Sequence, residues 1–574
     1  MKLPEPLYPT PVQKLSHWNS TTPNKIFLIQ PVDGKTITFT FSQVDEQARR
    51  LASAFLAMGL NKGDRVAIFA KNCAQWFITD YAIQMAGLVS VPLYPDQSAD
   101  NIHYTLKHSE AKAIIIGKLD GGKIMEAGLT DNIIRIAMPY PCDMKIDHHW
   151  QDLMDNHLPL EALAFNEKGS LMTLIYTSGT TGNPKGVMHT FGTFSFAAQN
   201  AGKVMEANRD DRFLSFLPLS HVAERFMVLA AATYAGAQVS FVESLDTFSN
   251  NLQATRPTIF FAVPRLWQKF QQKVLTQLPD KKLNTLLRIP FVKYFLQKKL
   301  QKALGLDCAR LVISGAAPIS FELLAWYKKI GIEINEGYGM SENLCYGPAI
   351  NLPGRVKIGT VGNVNAFPYN EVKITHEGEV IVRSPSLMTG YYLEPEKSKA
   401  VLRDGWYYTG DKGVIDDEGY LSITGRVKDV FKTSKGKFVQ PTKIENLLQA
   451  NEFIEQVCVA GSGEAQPFSL IELTQEAKDN LPGSAQDIEK SINHTLNDAN
   501  TKLDHHEVVE RVFIIKDSWT PANGMLTPTL KIKRHEIESR YMPFTTQYRD
   551  SKVAFVWEEN FWSANVTQPS IAIS

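Results

Sequence analysis

The sequence is poor in the features that mark secreted, zinc-binding and nucleic-acid-binding proteins. Its 574 residues include only five cysteines, an odd number without any CxxC pair, so neither a disulfide framework nor a zinc site of that spacing is predicted. No charge of one sign dominates, because 60 basic residues balance 60 acidic ones. The composition therefore indicates a cytoplasmic protein without a nucleic-acid partner.

Long apolar runs are missing as well. The longest uncharged run, Phe226 to Val242, is shorter than a usual spanning helix and contains Gly236 and Gln238, so it is predicted to form a buried helix followed by a strand. The N-terminal MKLPEP has prolines and an acidic residue where a signal peptide needs its apolar core. Neither an integral membrane span nor a signal peptide is therefore predicted.

What the sequence does contain is a loop rich in glycine and hydroxyl groups. Leu171 to Tyr176 is apolar and is predicted to form a buried strand, which the following TSGTTGNPKG cannot continue. Glycines there let backbone N–H groups approach a ligand, the hydroxyls donate to oxygens and the lysine adds a positive charge. This combination favours phosphate binding over the alternative of a flexible surface loop. The candidate binding residues are Thr177, Ser178, Gly179, Thr180, Thr181, Gly182 and Lys185.

The loop does not follow the Walker pattern. Lys185 is followed by Gly186, where a P-loop has Ser or Thr after its lysine. A P-loop kinase or GTPase is therefore disfavoured.

The order of predicted elements indicates an α/β body followed by smaller units. Short β-rich runs (36–41, 65–70 and 112–116) alternate with amphipathic helical stretches (44–58 and 72–85), which predicts sheets covered by helices. After about residue 355, short strands separated by Gly-containing turns predict a β-rich lobe. A polar, basic segment from Gly425 to Lys437 follows, and a compact βαβ-like pattern resumes at Ile444. We therefore place a domain boundary near Lys428.

Three further clusters bear on the ligand. LVISGAAPIS (311–320) is a predicted strand that runs into a turn of small residues, against which a flat ring could lie. NEGYGMSEN (335–343) places Tyr338 between glycines, with Glu342 four residues on. WYYTGD (406–411) ends in Asp411, which could accept two hydrogen bonds from a ribose. Taken singly, a packed turn, a core tyrosine and a turn-initiating aspartate explain these clusters as well.

Together and in this order, the motifs resemble those of the AMP-forming adenylate-forming superfamily, which includes acyl-CoA synthetases, luciferases and peptide-synthetase adenylation domains. The resemblance runs from about residue 10 to about residue 545 and includes a Gly-Arg-x-Lys-Asp element at 425–429. Four segments are similar to the long-chain fatty acyl-CoA synthetase branch: LPLSHVAER, TRPTIFFAVPRLWQKF, GRVKIGTVG and NGMLTPTLKIKRHEI.

The resemblance implies a fold and a domain organisation. The fold is α/β, with a large N-terminal body of two αβ layers plus a distorted β-barrel, and a small mobile α+β C-terminal domain. It implies an N-terminal AMP-binding and acyl-binding domain at 1–427, a mobile C-terminal domain at 428–550 and a C-terminal tail at 551–574, with Lys428 as the hinge.

The resemblance also implies roles for the motif residues. The glycine-rich loop would cradle the β- and γ-phosphates of ATP, with Thr177 and Glu342 near Mg²⁺. Lys531 would reach the acyl carboxylate and the α-phosphate, which makes Lys531, Glu342 and Thr177 the implied catalytic residues. The remaining ATP and AMP contacts would come from Gly315, Ala316 and Ala317 beside adenine, from Tyr338 stacked on it with Gly339 and Ser341 in the same element, and from Asp411 and Arg426 on ribose.

Alternatives stay open for several of these residues. Lys533 competes with Lys531, although the family spacing of three residues after Pro528 favours Lys531. The acyl-site residues implied by the resemblance are His221, Trp267 and Asn343. His221 could equally cap the start of a helix, and Trp267 could belong to the apolar core and not to a gate of the acyl tunnel.

The sequence thus predicts a Mg²⁺-dependent long-chain fatty acid:CoA ligase, with fatty acid, ATP and CoA as its substrates. Peripheral membrane contact is suggested by so apolar a substrate. One alternative is a ligase for a medium-chain or aromatic acid. Another is a silent fatty-acid-binding or nucleotide-binding protein, which would have lost one of Lys185, Glu342, Asp411 or Lys531, whereas all four are present. Chain-length preference, oligomeric state and the effect of Lys435, which stands where relatives commonly have glycine, are left open.

Overall fold

The architecture is taken from a computed structural model, which describes residues 8–177, 183–481, 483–527, 530–549, 551 and 553–558. The predicted loop residues Ser178, Gly179, Thr180, Thr181 and Gly182 lie outside this part of the chain.

An eight-stranded sheet forms the largest layer. Its central strands are parallel, and two of them, Val89–Leu93 and Ala111–Gly117, are apolar and largely buried, as expected for strands covered on both faces. Two antiparallel strands complete one edge. In spatial order the strands are Gly390–Tyr391, Lys185–Thr190, Leu171–Thr177, Val89–Leu93, Arg65–Ala70, Ala111–Gly117, Ile134–Ala137 and His148–His149.

Two four-stranded sheets complete the α/β part of the body. One has the order Arg212–Ser215, Gln238–Phe241, Ile26–Val32 and Lys35–Thr40, and the other has the order Ile259–Ala262, Leu311–Ser314, Ile334–Tyr338 and Ala349–Ile350. The helix Ala74–Met85 contacts strands of the first of these sheets and of the eight-stranded sheet. All of its residues are buried and most are apolar, as expected for a helix enclosed between sheets, while the buried Asp80 pairs with Arg225.

The β-rich lobe is an open antiparallel sheet. Its strands are Glu371–Ile374, Glu379–Arg383, Trp406–Ile415, Leu402–Arg403 and Leu421–Arg426. Strand pairing among the described residues does not close this sheet, so the distorted barrel expected from the resemblance is corrected to an open sheet. The physical reason is the pairing pattern. The long strand Trp406–Ile415 pairs with three other strands of the lobe, whereas the outer strands have no further partner strand among the described residues.

The C-terminal domain is smaller and is built around a sheet with two covered faces. Its strands are Ile454–Ala460, Phe468–Leu473, Arg511–Ile515 and Phe555–Trp557, after a short hairpin of Phe431–Lys432 and Phe438–Val439. Alternate residues such as Val512 and Phe513 enter different clusters on the two faces. Phe555–Trp557 pairs in parallel with Arg511–Ile515, so this part of the predicted tail is an edge strand of the sheet.

Helices cover these sheets, and many begin with a capping residue. Thr40 caps Phe41–Ala57 with a reciprocal Gln43 contact, close to the predicted start at residue 44. None of the described helices combines the length and the apolar character needed to cross a membrane. The α-helices are Pro11–Thr21, Phe41–Ala57, Ala74–Met85, Ala99–Ser109, Gly122–Met125, Trp150–Asn156, Phe191–Val204, Val222–Glu224, Ala231–Ala235, Phe248–Thr255, Pro264–Gln277, Asp280–Leu287, Pro290–Ala303, Phe321–Lys329, Pro395–Val401, Pro441–Leu448, Gln475–Asp479, Ala485–Asn500 and Arg534–Thr546, with 3₁₀ turns at Glu126–Gly128 and Ser341–Asn343 and a π-helical turn at Arg225–Ala230.

Candidate active site

Thr177 and Lys185 flank the glycine-rich loop on two adjacent strands. They are direct partners in the antiparallel pair formed by Leu171–Thr177 and Lys185–Thr190. The Lys185 ammonium lies 4.9 Å from the ring centroid of Tyr391. Burial lowers the pKa of Lys185, and the positive charge of Lys397 acts in the same direction, while Glu342 opposes both. The pair therefore holds a hydroxyl and an ammonium at the two ends of the loop.

Glu342 lies in the 3₁₀ turn Ser341–Asn343, which is separated from the strand Ile334–Tyr338 by two residues. The Tyr391 hydroxyl donates a hydrogen bond to Oε1 of Glu342 at 2.9 Å, so Tyr391 contacts both charged groups of this part of the site. Nε2 of the buried His189 lies 2.7 Å from the Ser341 carbonyl oxygen, and burial lowers the pKa of His189 to about 4. The imidazole is therefore neutral at neutral pH and donates to that carbonyl.

Tyr338, Asp411 and Arg426 form a second cluster. The Tyr338 hydroxyl donates to Oδ2 of Asp411 at 2.5 Å, and Nε of Arg426 lies 3.0 Å from Oδ1. Asp411 and Arg426 are also direct partners on neighbouring strands of the β-rich lobe. Burial raises the pKa of Tyr338 well above its usual value, and the Asp411 charge adds to this effect, so the phenol stays protonated as a donor.

The small residues around Gly315 follow the carboxyl end of the strand Leu311–Ser314. A Cβ on Gly315 would lie 3.0 Å from the carbonyl oxygen of Gly337 on the neighbouring parallel strand. Ala316 has a φ of +68°, in the region that side chains other than glycine rarely adopt, and Ala317 is exposed. A Cβ on Gly339 would approach the Cys345 Cα at 2.9 Å, so this turn also requires the small residue it has. The carboxyl ends of parallel strands are where open α/β sheets bind ligands.

Lys531 comes from the C-terminal domain and lies within electrostatic range of Arg426, Asp411 and Glu342. Its N–H donates to Oγ1 of Thr527 at 3.1 Å and its carbonyl accepts from the Thr527 N–H at 2.8 Å, which fixes a tight turn. Lys531 is exposed to solvent, and partial desolvation by the surrounding protein lowers the pKa of its ammonium. The charge of Arg426 lowers it further, whereas Asp411 and Glu342 oppose the change. Lys533 instead precedes the helix Arg534–Thr546.

His221 lies near Lys531 and also caps a helix. Nδ1 of His221 accepts a hydrogen bond from the Ala223 N–H at 3.2 Å. Burial lowers the pKa of His221 to about 4, and the nearby Lys531 charge contributes. The helix-capping interpretation and a position beside the proposed carboxylate site are therefore compatible in one residue.

Trp267 and Asn343 are both fully buried. Trp267 packs edge-on against Phe260 and Tyr327, with ring centroids 5.5 and 5.2 Å away, within an aromatic core cluster. This packing favours the core interpretation of Trp267 over the gate. Oδ1 of Asn343 accepts from the Met340 N–H at 3.2 Å, while Nδ2 finds no partner among the described residues.

Lys428 is exposed just beyond the strand Leu421–Arg426. Its positive charge contributes to lowering the pKa of Lys185, so the predicted hinge lies within electrostatic range of Lys185. The preceding Val427 N–H donates to the Gly410 carbonyl at 2.8 Å and ties the chain to the β-rich lobe until that point.

Tyr391 and His189 are site residues that the sequence analysis missed. Both lie on strands of the eight-stranded sheet, and Gly390–Tyr391 reaches its place by pairing with a strand about 200 residues earlier in the chain. A tyrosine in an apolar stretch carries no signal of its own. The contact that makes Tyr391 relevant arises only in the folded protein.

The oxygen groups at the site fit Mg²⁺ held together with a polyphosphate. The Thr177 hydroxyl and the Glu342 carboxylate are hard oxygen donors, the type that Mg²⁺ prefers. Among the described residues, no cluster of three or more His, Cys, Asp or Glu side chains could hold a metal by itself. Mg²⁺ usually keeps water and phosphate ligands and takes only one or two from the protein, so this small donor set fits it.

Comparison with known proteins gives the family. A family described as AMP-binding enzyme matches residues 15–392, and its C-terminal domain family matches residues 428–547. The chain is 30% identical to a protein of Mycobacterium bovis named long-chain-fatty-acid–CoA ligase FadD15, over 90% of this chain and 93% of that protein. It is 27% identical to human long-chain-fatty-acid–CoA ligase 6, over 88% of this chain and 81% of that protein.

Solved structures agree on the fold. The anthranilate CoA ligase AuaEII in complex with anthranoyl-AMP has a TM-score of 0.77 at 22% identity, covering 94% of this chain and 99% of that one. The adenylation domain of a carboxylate reductase from Mycobacterium chelonae has a TM-score of 0.80 at 20% identity, covering 96% of this chain and 92% of that one. The two family matches together span most of the sequence. The chain belongs to the AMP-binding enzyme family, the adenylate-forming superfamily that its motifs resemble.

Proposed function

We propose that the protein is a long-chain fatty acid:CoA ligase that works in two steps. In the first, a fatty carboxylate oxygen attacks the α-phosphorus of ATP, and the bond to the β-phosphate oxygen breaks to release pyrophosphate. In the second, the CoA thiol loses its proton and attacks the acyl carbonyl, and AMP leaves. The observation that supports this proposal is that Lys531, from the C-terminal domain, lies within electrostatic range of Asp411 and Glu342 of the body.

Each charged group has a task in the first step. Lys531 neutralises negative charge as the carboxylate approaches the α-phosphate, and a preorganised cation at that point stabilises the transition state. Lys185 and the loop from Thr177 hold the β- and γ-phosphates, and Thr177 and Glu342 would hold Mg²⁺, which supplies further charge neutralisation when bound. Tyr338 and Gly315 to Ala317 enclose the adenine, while Asp411 and Arg426 bind the ribose.

The long acyl chain, CoA and the domain motion are the finer parts of the proposal. The names of the relatives support a long-chain acid, and the basic segment at 428–437 offers charge for the anionic end of CoA. The C-terminal family match begins at residue 428, which supports a boundary and hinge at Lys428. A cytoplasmic location is supported by the five free cysteines.

Pyrophosphate exchange tests the proposal. The purified protein, given ATP, Mg²⁺ and a long saturated or monounsaturated acid, should incorporate labelled pyrophosphate into ATP without CoA, and CoA should then be needed for steady AMP release. A panel of straight-chain acids of graded length and of aromatic acids identifies the substrate. Exchange with aromatic acids alone would overturn the long-chain assignment. If none of the acids supported exchange, a silent binding protein would be favoured. Asp411→Asn is the control that should lose exchange with every acid.

A further inference from the structure

The helix Pro290–Ala303 presents an aromatic and basic face to solvent. The exposed fractions are 83% for Phe291, 60% for Tyr294 and 70% for Phe295. Large aromatic side chains rarely cluster on a surface without a partner. Exposed lysines follow the aromatic residues at intervals of three or four positions, which places all of them on one side of the helix. We refer to this side as the aromatic and basic face, and it comprises Phe291, Tyr294, Phe295, Lys298, Lys299 and Lys302.

The opposite face of this helix is fixed to the body. Nε2 of Gln297 donates to the Lys329 carbonyl and Nε2 of Gln301 donates to the Gly331 carbonyl, both at 2.9 Å. Leu296 and Leu300 pack against the same apolar cluster that contains Trp267. The aromatic and basic face is therefore held outward by a regular helix with an anchored inner side.

The surroundings of the helix are strongly basic. Between residues 280 and 306 the sequence has seven Lys or Arg residues and a single acidic residue, Asp280. The neighbouring helix Asp280–Leu287 contacts Pro290–Ala303 and contributes the exposed Lys281 and Lys282. The chain as a whole is electrically balanced, so this segment is a local positive region.

We propose that this face docks on a lipid bilayer that contains anionic headgroups. Aromatic side chains suit the boundary between headgroups and acyl chains, and lysines beside them can extend their ammonium groups to anionic phosphates. Protein–protein interfaces share the aromatic residues but are depleted in lysine, so the lysines favour a lipid surface over a protein partner. Docking here would bring the protein to the phase in which a long-chain acid dissolves. The proposal does not depend on the ligase activity, because docking needs neither ATP nor CoA.

Vesicle sedimentation tests the docking face. The full-length protein should sediment with vesicles of phosphatidylcholine and phosphatidylglycerol, and more weakly with phosphatidylcholine alone, because electrostatic attraction is then lost. The triple variant Phe291→Ser/Tyr294→Ser/Phe295→Ser and the charge variant Lys298→Glu/Lys299→Glu/Lys302→Glu should each weaken binding to the anionic vesicles by at least about tenfold. Raised salt should weaken the wild type and leave little further effect on the charge variant.

Matched controls separate docking from general surface effects. Leu158→Ser/Phe165→Ser/Leu245→Ser removes three other highly exposed apolar side chains and should leave vesicle binding unchanged. Wild-type protein that does not sediment, or an equal loss in this control, would overturn the proposal. So would an aromatic variant that binds vesicles normally but no longer self-associates in size-exclusion chromatography. Pyrophosphate exchange with a short, water-soluble acid should be the same in all variants, so a failure of docking is distinguishable from a failure of the ligase function.

Discussion

The Tyr338 hydroxyl and the Arg426 guanidinium hold the two oxygens of Asp411 separately, at 2.5 and 3.0 Å. The carboxylate is therefore fixed in orientation by two side chains, Tyr338 from the α/β body and Arg426 from the β-rich lobe. A fixed carboxylate can present its remaining lone pairs to a ribose without losing rotational freedom on binding. The same contact ties the proposed adenine residue, Tyr338, to the proposed ribose residue.

Tyr338→Phe separates these two roles of the tyrosine. The ring stays in place for adenine, while Asp411 loses one of its two positioning contacts and keeps Arg426. We expect the KM for ATP to rise by about threefold to tenfold, since a hydrogen bond to a charged group contributes roughly 1.5–3 kcal/mol and part of it is replaced by water. Tyr338→Ala should cost roughly tenfold more because stacking on the base is also lost. Steady-state kinetics on both variants decide the matter, and equal effects of Phe and Ala would show that the ring does not stack.

Glu342→Gln tests the carboxylate proposed to lie beside Mg²⁺. The amide keeps an oxygen that accepts from Tyr391 but removes the negative charge, so adenylation should fall by about a hundredfold or more while the melting temperature is retained. Tyr391→Phe is the matched control, because it removes only the 2.9 Å hydrogen bond and leaves the charge. Its exchange rate should fall far less. A Glu342→Gln protein that exchanges pyrophosphate normally but melts earlier would identify Glu342 as a structural hydrogen-bond partner.

Glu336 should make stability dependent on pH. It is buried on the strand Ile334–Tyr338, and burial raises the pKa of its carboxyl from 4.5 to about 8. The folded state therefore holds this proton more tightly than the unfolded chain. The resulting stability is fully present below pH 4.5 and is lost as the pH rises through about 8.

Glu336→Gln removes this ionisation. The free energy of unfolding should therefore fall less between pH 5 and pH 8 in the variant than in the wild type, by on the order of a few kcal/mol. Thermal unfolding at both pH values measures the difference. Glu377→Gln changes an exposed carboxylate in the β-rich lobe and should leave the pH dependence as it is. An identical pH dependence for Glu336→Gln and the wild type would show that Glu336 is ionised in the folded protein at neutral pH.

Trp267→Ala distinguishes a core residue from a gate. Trp267 has no exposed surface and packs among Phe260, Phe270 and Tyr327, so its removal should leave a cavity and cost about 3–5 kcal/mol of stability. We expect activity to fall equally for all acyl lengths. Phe270→Ala, three residues along the same helix, is the matched control and should behave similarly. A shifted length preference in Trp267→Ala alone, with its melting temperature retained, would establish the gate.

Secondary-structure elements and reactive groups could be predicted from the sequence better than the tertiary contacts between them. The strand at 65–70 and the helix–strand interpretation of 226–242 are confirmed, because period and turn residues decide such elements locally. Tyr391 could not be found this way, since its role depends on a pairing with residues about 200 positions away. Phe555–Trp557 was missed for a similar reason, because three residues gain strand character only from the neighbour on which they pair.

The open β-rich sheet shows another limit. Alternating short strands indicate an antiparallel sheet, but whether the edges close depends on twist and on the register of every strand. The bulge between Lys412 and Gly413 shifts the register of the long central strand, and a shift of this kind is not visible in the sequence pattern.

Lys531 and Lys428 should separate the two half-reactions. If the C-terminal domain brings Lys531 to the carboxylate for adenylation and then rotates about Lys428 to present another face for thioester formation, the two steps use different closed states. Lys531→Ala should then abolish pyrophosphate exchange while supplied acyl-AMP still reacts with CoA at nearly the normal rate. Lys428→Pro should keep most exchange and lose thioester formation, because proline fixes φ and restricts the hinge.

Lys533→Ala is the control for the catalytic lysine, since Lys533 lies two residues away and directly precedes the helix Arg534–Thr546. It should retain both half-reactions. Both steps should be measured on all three variants. A stability effect or a general change in domain position would reduce the two steps together, whereas rotation of the domain predicts that Lys531→Ala and Lys428→Pro each lose a different step. Parallel losses in Lys531→Ala and in Lys428→Pro would therefore contradict the rotation, and a loss of exchange in Lys533→Ala equal to that in Lys531→Ala would move the catalytic role away from a single lysine.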